Sequence, residues 1–153
     1  MPNISLSVPH FKQELEYSCV ATCVRMVLAS YGHSYSEADL RQLLDTRPSG
    51  TPARNVQRVA SLGFDVQLVP CNMALLADSL AAGVPPIVFF ETAPLDYWQI
   101  DCAHVAVLVG LEDATVCLND PYFDAAPQRT SLASFRQAWA ATGQLAVLIV
   151  PRP

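Results

Sequence analysis

The sequence predicts a single α+β domain in which N-terminal helices pack on a mostly antiparallel sheet. Apolar residues recur at helical spacing through most of the first half of the chain. From Pro86 onward the chain changes to β-rich runs bounded by Gly, Pro and Asp, and one helical segment interrupts them. The length of 153 residues, of which 52% are hydrophobic, suits one well-filled core. The expected domain spans residues 1–153.

The first half is predicted to be largely helical. The first helix begins at Cys19 and ends at Gly32. Ser36 opens the second helix as the first residue of a capping box, and Pro52 occupies the first position of the third. A short alternating strand follows, and Asn72 then caps a fourth helix. The positions predicted to face the core in the first three helices are Val20, Val24, Val27, Leu28, Tyr31, Ala38, Leu40, Leu43, Leu44, Val56, Val59, Ala60 and Leu62.

The second half is predicted to supply most of the sheet. Its β-rich runs cover residues 87–90, 105–111, 115–118 and 145–150, and a helix from about Ser131 to Ala141 interrupts them. The segment 91–100 carries Tyr97 and Trp98 without a clear period. We therefore expect a long loop there, next to the functional site.

Composition argues against several kinds of partner. The net charge is −5, and nine Lys and Arg are scattered singly, so no basic stripe favours nucleic acid or an anionic membrane surface. No apolar run approaches the ~18 residues of a membrane-spanning helix, and the amino end does not resemble a secretion signal. Five cysteines, an odd number, exclude complete internal disulfide pairing and suit reduced thiols. We therefore expect a cytoplasmic protein without a membrane-spanning segment.

Cys19 stands where a polar loop becomes an apolar helix. In the first turn, unsatisfied backbone N–H groups and the positive end of the helix dipole favour a thiolate, which is the nucleophilic form. Gln13 lies six residues earlier on the loop, from where its amide can donate to an oxyanion. A cysteine in an apolar helix is also a common core residue. The interpretation of Cys19 as a nucleophile therefore depends on a base elsewhere in the chain.

His104 and Asp120 supply that base and a group to orient it. His104 opens one predicted strand, and Asp120 closes the next. If Glu112 and Asp113 form the turn, the hairpin places His104 directly opposite Asp120, with Cβ atoms roughly 4.5–5.5 Å apart. The carboxylate can then accept from one imidazole nitrogen and leave the other for a partner. A slip of one residue would present Asn119 instead.

The same residues resemble a known family. Gln13 precedes Cys19 by six residues, the Cys19 helix ends in Tyr-Gly, His104 opens the run His-Val-Ala-Val-Leu-Val-Gly, and Asp120 is followed by Pro. This pattern resembles the papain-like cysteine peptidases related to the double-glycine leader peptidase domains of bacteriocin-exporting ABC transporters. The similarity covers roughly residues 5 to 151 and includes the final helix and strand.

The resemblance implies a reduced papain-like fold and cleavage of a peptide or isopeptide bond, as after a Gly-Gly leader. It implies that Gln13 is the oxyanion donor and Cys19 the nucleophile. His104 is then the general base and Asp120 its orienting residue, and no cofactor or metal is needed. The implied partner is a peptide or protein substrate. Because no transporter segments follow, an export role is not carried over, and association with a transporter or another protein stays open.

One departure concerns the nucleophile. The family commonly has Asp-Cys-Gly at this point, whereas this chain has Ser18-Cys19-Val20. The branched side chain of Val20 is expected to alter the approach of the substrate backbone.

Other functions stay open from the sequence. An acyltransferase or deamidase would use the same triad, and a peptide-binding module would not cut its ligand. A structural zinc site is a further alternative, because three cysteines and a histidine form an acceptable ligand set. Its ligands would be Cys19, Cys23, Cys102 and His104.

Overall fold

The computed structural model describes residues 3–153 as one antiparallel sheet covered by helices on both faces. The strands are β1 (Ile4–Ser5), β2 (Phe64–Pro70), β3 (Ile87–Glu91), β4 (Ala103–Glu112), β5 (Thr115–Asn119), β6 (Gln128–Ser131) and β7 (Leu145–Pro151). The helices are α1 (Cys19–Ser30), α2 (Glu37–Leu43), α3 (Met73–Ala81) and α4 (Leu132–Ala140), with a 3₁₀ helix (Ala53–Leu62) before β2. The strand order is β2-β7-β3-β4-β5-β6, and β1 pairs with β4. The predicted α+β fold is confirmed.

The helix ends follow the local signals in the sequence. Helix α1 begins at Cys19, and Gly32 just beyond it has a φ of 85°. The Ser36 hydroxyl accepts from the third residue of α2 at 3.0 Å, and the Asn72 side chain does the same for α3 at 2.8 Å. The third predicted helix is a 3₁₀ helix, which ends at Gly63 with a φ of 98°. Within residues 3–153, none of the helices combines the length and apolar character needed to span a bilayer.

The sequence pattern does not predict β1 and β6. Strand β1 has two residues, which are too few to show an alternation. Strand β6 reads Gln-Arg-Thr-Ser and lies at the edge of the sheet, where only Thr130 is buried. Short polar edge strands of this kind resist pairing with other chains, and they lack the apolar signature of a central strand.

Strand β4 is buried on both faces, which explains its long apolar run. Val105 and Val107 pack in the core that contains α1, α2 and the 3₁₀ helix. Ala106 and Leu108 point the other way, into the core formed with α3 and α4. The sheet is therefore the middle layer, and the start of α1 lies against the end of β4 that carries His104.

The register of the β4–β5 hairpin differs from the prediction. The turn lies at residues 113–114, and Val107 pairs with Asn119. If this register continues by one residue, Asp120 lies opposite Ala106, so the predicted direct opposition of His104 and Asp120 is wrong. His104 is instead the diagonal neighbour of Asp120 on the same face, which is still within reach of a long side chain.

A β-bulge keeps the two side chains on one face. Near the turn Gly110 pairs with Cys117, but one extra residue in β4 shifts the register before Leu108 pairs with Leu118. Without that residue, Val107 would lie opposite Asp120, and Asp120 and His104 would point to opposite faces of the sheet. The bulge therefore determines whether these two groups can meet.

A buried carboxylate fastens the loop before α1. Glu37 is completely buried and accepts from the Glu14 backbone N–H at 3.1 and 3.2 Å. It also hydrogen-bonds the Thr22 hydroxyl in α1 and pairs with Arg41 in α2 at 2.5 Å. The predicted inward residue at this turn, Ala38, is exposed. A charged residue faces the interior here because polar partners surround it.

We predict that Glu37→Ala lowers the free energy of unfolding by about 3 kcal/mol, because it leaves buried donors without an acceptor. Asp39→Ala, in the same helix turn but exposed, is the matched control and is expected to cost less than about 1 kcal/mol. Urea titrations of both variants measure the difference. Equal losses would show that the Glu37 contacts contribute no more than a surface charge.

Candidate active site

Cys19 and His104 line the same cleft, which has a volume of about 400 Å³. Cys19 is the first residue of α1 and is partly exposed, so its sulfur is accessible from the cleft. Gln13 and Trp98 also line this cleft. The four residues come from two distant parts of the chain, and the fold brings them together.

The first turn of α1 keeps its backbone N–H groups free of side-chain caps. Ser18 precedes the helix, but its hydroxyl bonds only Leu15, accepting from the N–H at 3.0 Å and donating to the carbonyl at 2.9 Å. The first turn contains no acidic residue. The positive end of the helix dipole is therefore directed at Cys19 and at whatever binds beside it.

His104 is buried between Asp120 and the cleft that holds Cys19. Its Nε2 lies 2.7 Å from Oδ1 of Asp120, and its side chain lines the same cleft as Cys19. Because Nε2 is used by the carboxylate, Nδ1 is the nitrogen left for the sulfur. The structure thus brings together the predicted nucleophile, base and orienting residue.

The pKa of His104 is raised to about 9. Burial lowers it, but hydrogen bonds and charge interactions with Asp120 and Cys19 outweigh burial. For Asp120, burial raises the pKa, yet the hydrogen bond and charge of His104 and donors from Tyr122 and Trp98 hold it below its usual value. At neutral pH the pair is therefore an imidazolium and a carboxylate.

Two aromatic side chains that the sequence analysis did not assign hold the far oxygen of Asp120. The Tyr97 hydroxyl donates to Oδ2 at 2.8 Å, and the Trp98 indole N–H donates to the same atom at 2.9 Å. Burial and the neighbouring carboxylate raise the pKa of Tyr97, so it stays a donor. The sequence feature that could have indicated this role is the pair Tyr97 and Trp98, two aromatic residues with hydrogen-bond donors in the loop before the His104 strand.

Gln13 lies in the cleft with its amide turned toward its own loop. Its Nε2 donates to the carbonyls of Leu15 and Glu16 at 2.8 and 3.0 Å. Its backbone N–H donates to Pro121 O at 2.7 Å, so this loop is fastened to the segment after Asp120. Donation from the side chain to an oxyanion would require one of the two bonds within the loop to break.

The Asn119 alternative and the zinc alternative are not supported by the geometry. The Asn119 amide donates to Val8 O at 3.0 Å, on the side away from His104.

The cysteines of the zinc alternative differ in their exposure. Cys23 is completely buried, and burial raises its pKa well above the ordinary value, whereas Cys102 is exposed. Across residues 3–153, no group of three or more His, Cys, Asp or Glu side chains is arranged to hold a metal ion. The four residues of the zinc alternative therefore do not form one ligand set in this part of the chain.

Solved structures share this fold over almost the whole chain. The peptidase domain of Streptococcus ComA, a bi-functional ABC transporter involved in a quorum-sensing pathway, is 26% identical, with a TM-score of 0.77 over 94% of this chain and 98% of that one. A putative C39-like peptidase from Bacillus anthracis is 17% identical, with a TM-score of 0.82 over 99% of each chain. A double glycine motif protease from an AMS/PCAT transporter, in complex with the leader peptide, is 17% identical, with a TM-score of 0.77 over 99% of this chain and 100% of that one.

The sequence itself matches one family. No curated protein sequence matches this chain significantly. The model of the peptidase C39 family matches residues 7–152, which is nearly the full length. Together with the structural similarities, this match confirms the resemblance to double-glycine peptidase domains and the papain-like fold. The chain belongs to the peptidase C39 family and is a cysteine peptidase.

Proposed function

We propose that this peptidase cuts its substrate through a triad of Cys19, His104 and Asp120, with Gln13 as an oxyanion donor. The observation that carries the proposal is the His104 side chain, which is hydrogen-bonded at 2.7 Å to a buried carboxylate and lines the same cleft as Cys19. The imidazolium and the helix N-terminus both favour a thiolate at Cys19.

In the proposed reaction the Cys19 thiolate attacks the scissile carbonyl carbon, and the carbonyl π electrons move to oxygen. A backbone N–H of the first turn of α1 and the Gln13 amide stabilise the oxyanion. When the C–N bond breaks, His104 gives its proton to the leaving amine. Water then attacks the thioester and gives a proton to His104, and Cys19 leaves as a thiolate. Asp120 stays ionised and keeps the ring in place.

We infer that the substrate is a peptide or protein cut after small residues such as Gly-Gly. The similar protease from an AMS/PCAT transporter has a double glycine motif and was solved with a leader peptide. Val20 does not oppose this specificity, because it is 4% exposed and packs in the core, so its branched side chain does not narrow the cleft. This corrects the expectation drawn from the Ser-Cys-Val sequence.

We place this activity in the cytoplasm. All five cysteines are free thiols, which suits a reducing compartment. Peptide hydrolysis, acyl transfer to an amine and hydrolysis of a side-chain amide share the first step, attack of Cys19 on a carbonyl carbon, so the acyltransferase and deamidase alternatives stay predictions. Mass spectrometry of the products formed with and without an added amine acceptor separates these reactions.

We predict that iodoacetamide alkylates Cys19 about tenfold or more faster than any other cysteine, because the neighbouring imidazolium favours its thiolate. Cys102 is the internal control, since it is exposed in the same cleft. In His104→Ala the Cys19 rate should fall to that of Cys102 or lower. Peptide mapping by mass spectrometry gives both rates, and equal labelling in the wild-type protein would contradict an activated sulfur.

We predict that Gln13→Ala lowers kcat for cleavage of a Gly-Gly peptide on the order of a hundredfold, since an oxyanion donor is typically worth about 3 kcal/mol. Alkylation of Cys19 is the control, because the ground-state thiolate does not need this donor. A fall in both rates would indicate that Gln13 only shapes the loop through Leu15 and Glu16. Unchanged turnover would remove Gln13 from the mechanism.

We predict that kcat/KM of the wild-type enzyme falls as pH rises through about 9, where His104 loses its proton. Asp120→Asn should move this limb to lower pH, because the carboxylate raises the pKa of His104. The same shift predicts a stability term that is fully present below about pH 6.5 and lost as pH rises through about 9.

The matched control for Asp120→Asn is Asp113→Asn, the same change at the exposed tip of the hairpin. It should leave the basic limb in place. If the two variants shift the limb equally, the effect belongs to net charge and not to the contact between Asp120 and His104.

A further inference from the structure

A second cavity adjoins the cleft on the side of His104. It has a volume of about 360 Å³, and its walls are mainly aromatic. We call it the aromatic pocket; it is lined by Tyr97, Trp98, Gln99, Ile100, Tyr122 and Phe123. Trp98, Ile100 and Tyr122 also line the cleft that holds Cys19, so the two spaces are adjacent and share these residues as walls.

The rings of the aromatic pocket hold one another in place. The centroid of Trp98 lies 4.8 Å from that of Tyr122 and 5.2 Å from that of Phe123. Tyr97 and Trp98 are anchored further by their hydrogen bonds to Asp120. Ring pairs at these separations attract one another, so the pocket is largely formed before any ligand arrives.

The rim of the aromatic pocket exposes apolar surface. Ile100 is 63% exposed and Tyr122 is 46% exposed. Among the residues that the structure describes, only Leu75 and Val150 are other large hydrophobics with comparable exposure, and both line a cavity formed by β2, α3 and β7. A ligand that covers exposed apolar side chains removes them from water, which makes its binding more favourable.

The chemistry of the proposed reaction decides which part of a substrate reaches the aromatic pocket. His104 gives its proton to the leaving amine, so the residue after the scissile bond must lie against the imidazole. The rings of Trp98 and Tyr122 have centroids 5.0 and 6.4 Å from that of His104. The aromatic pocket therefore lies beside the ring that protonates the leaving amine.

We propose that the aromatic pocket binds the side chain of the residue that directly follows the scissile bond and selects an apolar one, aromatic or large aliphatic. This inference rests on the proposed function, because it uses the proton transfer from His104. It adds the specificity determinants Ile100 and Tyr122, which touch the substrate side chain without taking part in the chemistry.

The test compares two synthetic peptides that share a Gly-Gly sequence and differ only in the next residue, Phe or Ala. The wild-type enzyme should cut the Phe peptide with a kcat/KM about tenfold higher, since a filled apolar pocket is typically worth a factor of that order. In Ile100→Ala and Tyr122→Ala this ratio should fall toward one. Leu75→Ala, an exposed apolar residue on α3, is the control and should keep the wild-type ratio. A wild-type ratio near one would overturn the proposal.

A binding measurement separates this inference from the proposed function. Cys19→Ala cannot acylate, and calorimetry should show that it binds the Phe peptide more tightly than the Ala peptide. If the wild-type enzyme cuts neither peptide but Cys19→Ala prefers Phe, the proposed function fails and the pocket stands. Equal affinities, or binding of neither peptide, overturn the pocket whether or not cleavage occurs.

Discussion

The carboxylate of Asp120 is the group on which the site depends. It is completely buried, and an isolated buried carboxylate is costly. Four donors offset that cost: Oδ1 accepts from His104 and the Tyr122 backbone N–H, and Oδ2 accepts from Tyr97 and Trp98. Because these donors come from β4, the loop before it and the segment after β5, one charge fixes three parts of the chain and the direction of the imidazole.

The loop that carries Gln13 is held from two sides. The Gln13 backbone N–H bonds Pro121 O, next to the buried carboxylate. The following residue donates its backbone N–H to Glu37, which also contacts α1 and α2. The proposed oxyanion donor and the helix that bears Cys19 are thus positioned by a second buried carboxylate. Glu37 and Asp120 are both buried and hydrogen-bonded to residues distant in sequence. Together they fix the position of the Cys19 helix relative to the strand that carries His104.

Local patterns in the sequence were sufficient to predict the helix starts and the central strands, but not the contacts between them. The run from Val105 to Leu111 is apolar on both faces, so it hides the bulge that sets the register. The sequence still predicts the contact between His104 and Asp120. The predicted and observed registers differ by an even number of residues at that point, so both side chains stay on one face of the sheet. The burial of Glu37 is not evident from the sequence, because two of its partners, the Thr22 hydroxyl and the Glu14 backbone N–H, become its neighbours only in the fold.

Trp98 connects the orientation of the base with the binding of substrate. Its indole N–H holds Asp120, while its ring packs edge-on against His104 and forms a wall common to the cleft and the aromatic pocket. A side chain seated against that ring would exclude water from the edge of the imidazolium and carboxylate pair. The seated side chain would also hold the leaving amine against the imidazolium that protonates it, which favours the proton transfer. Selectivity in this pocket should consequently appear in kcat as well as in KM, because the same ring serves both tasks.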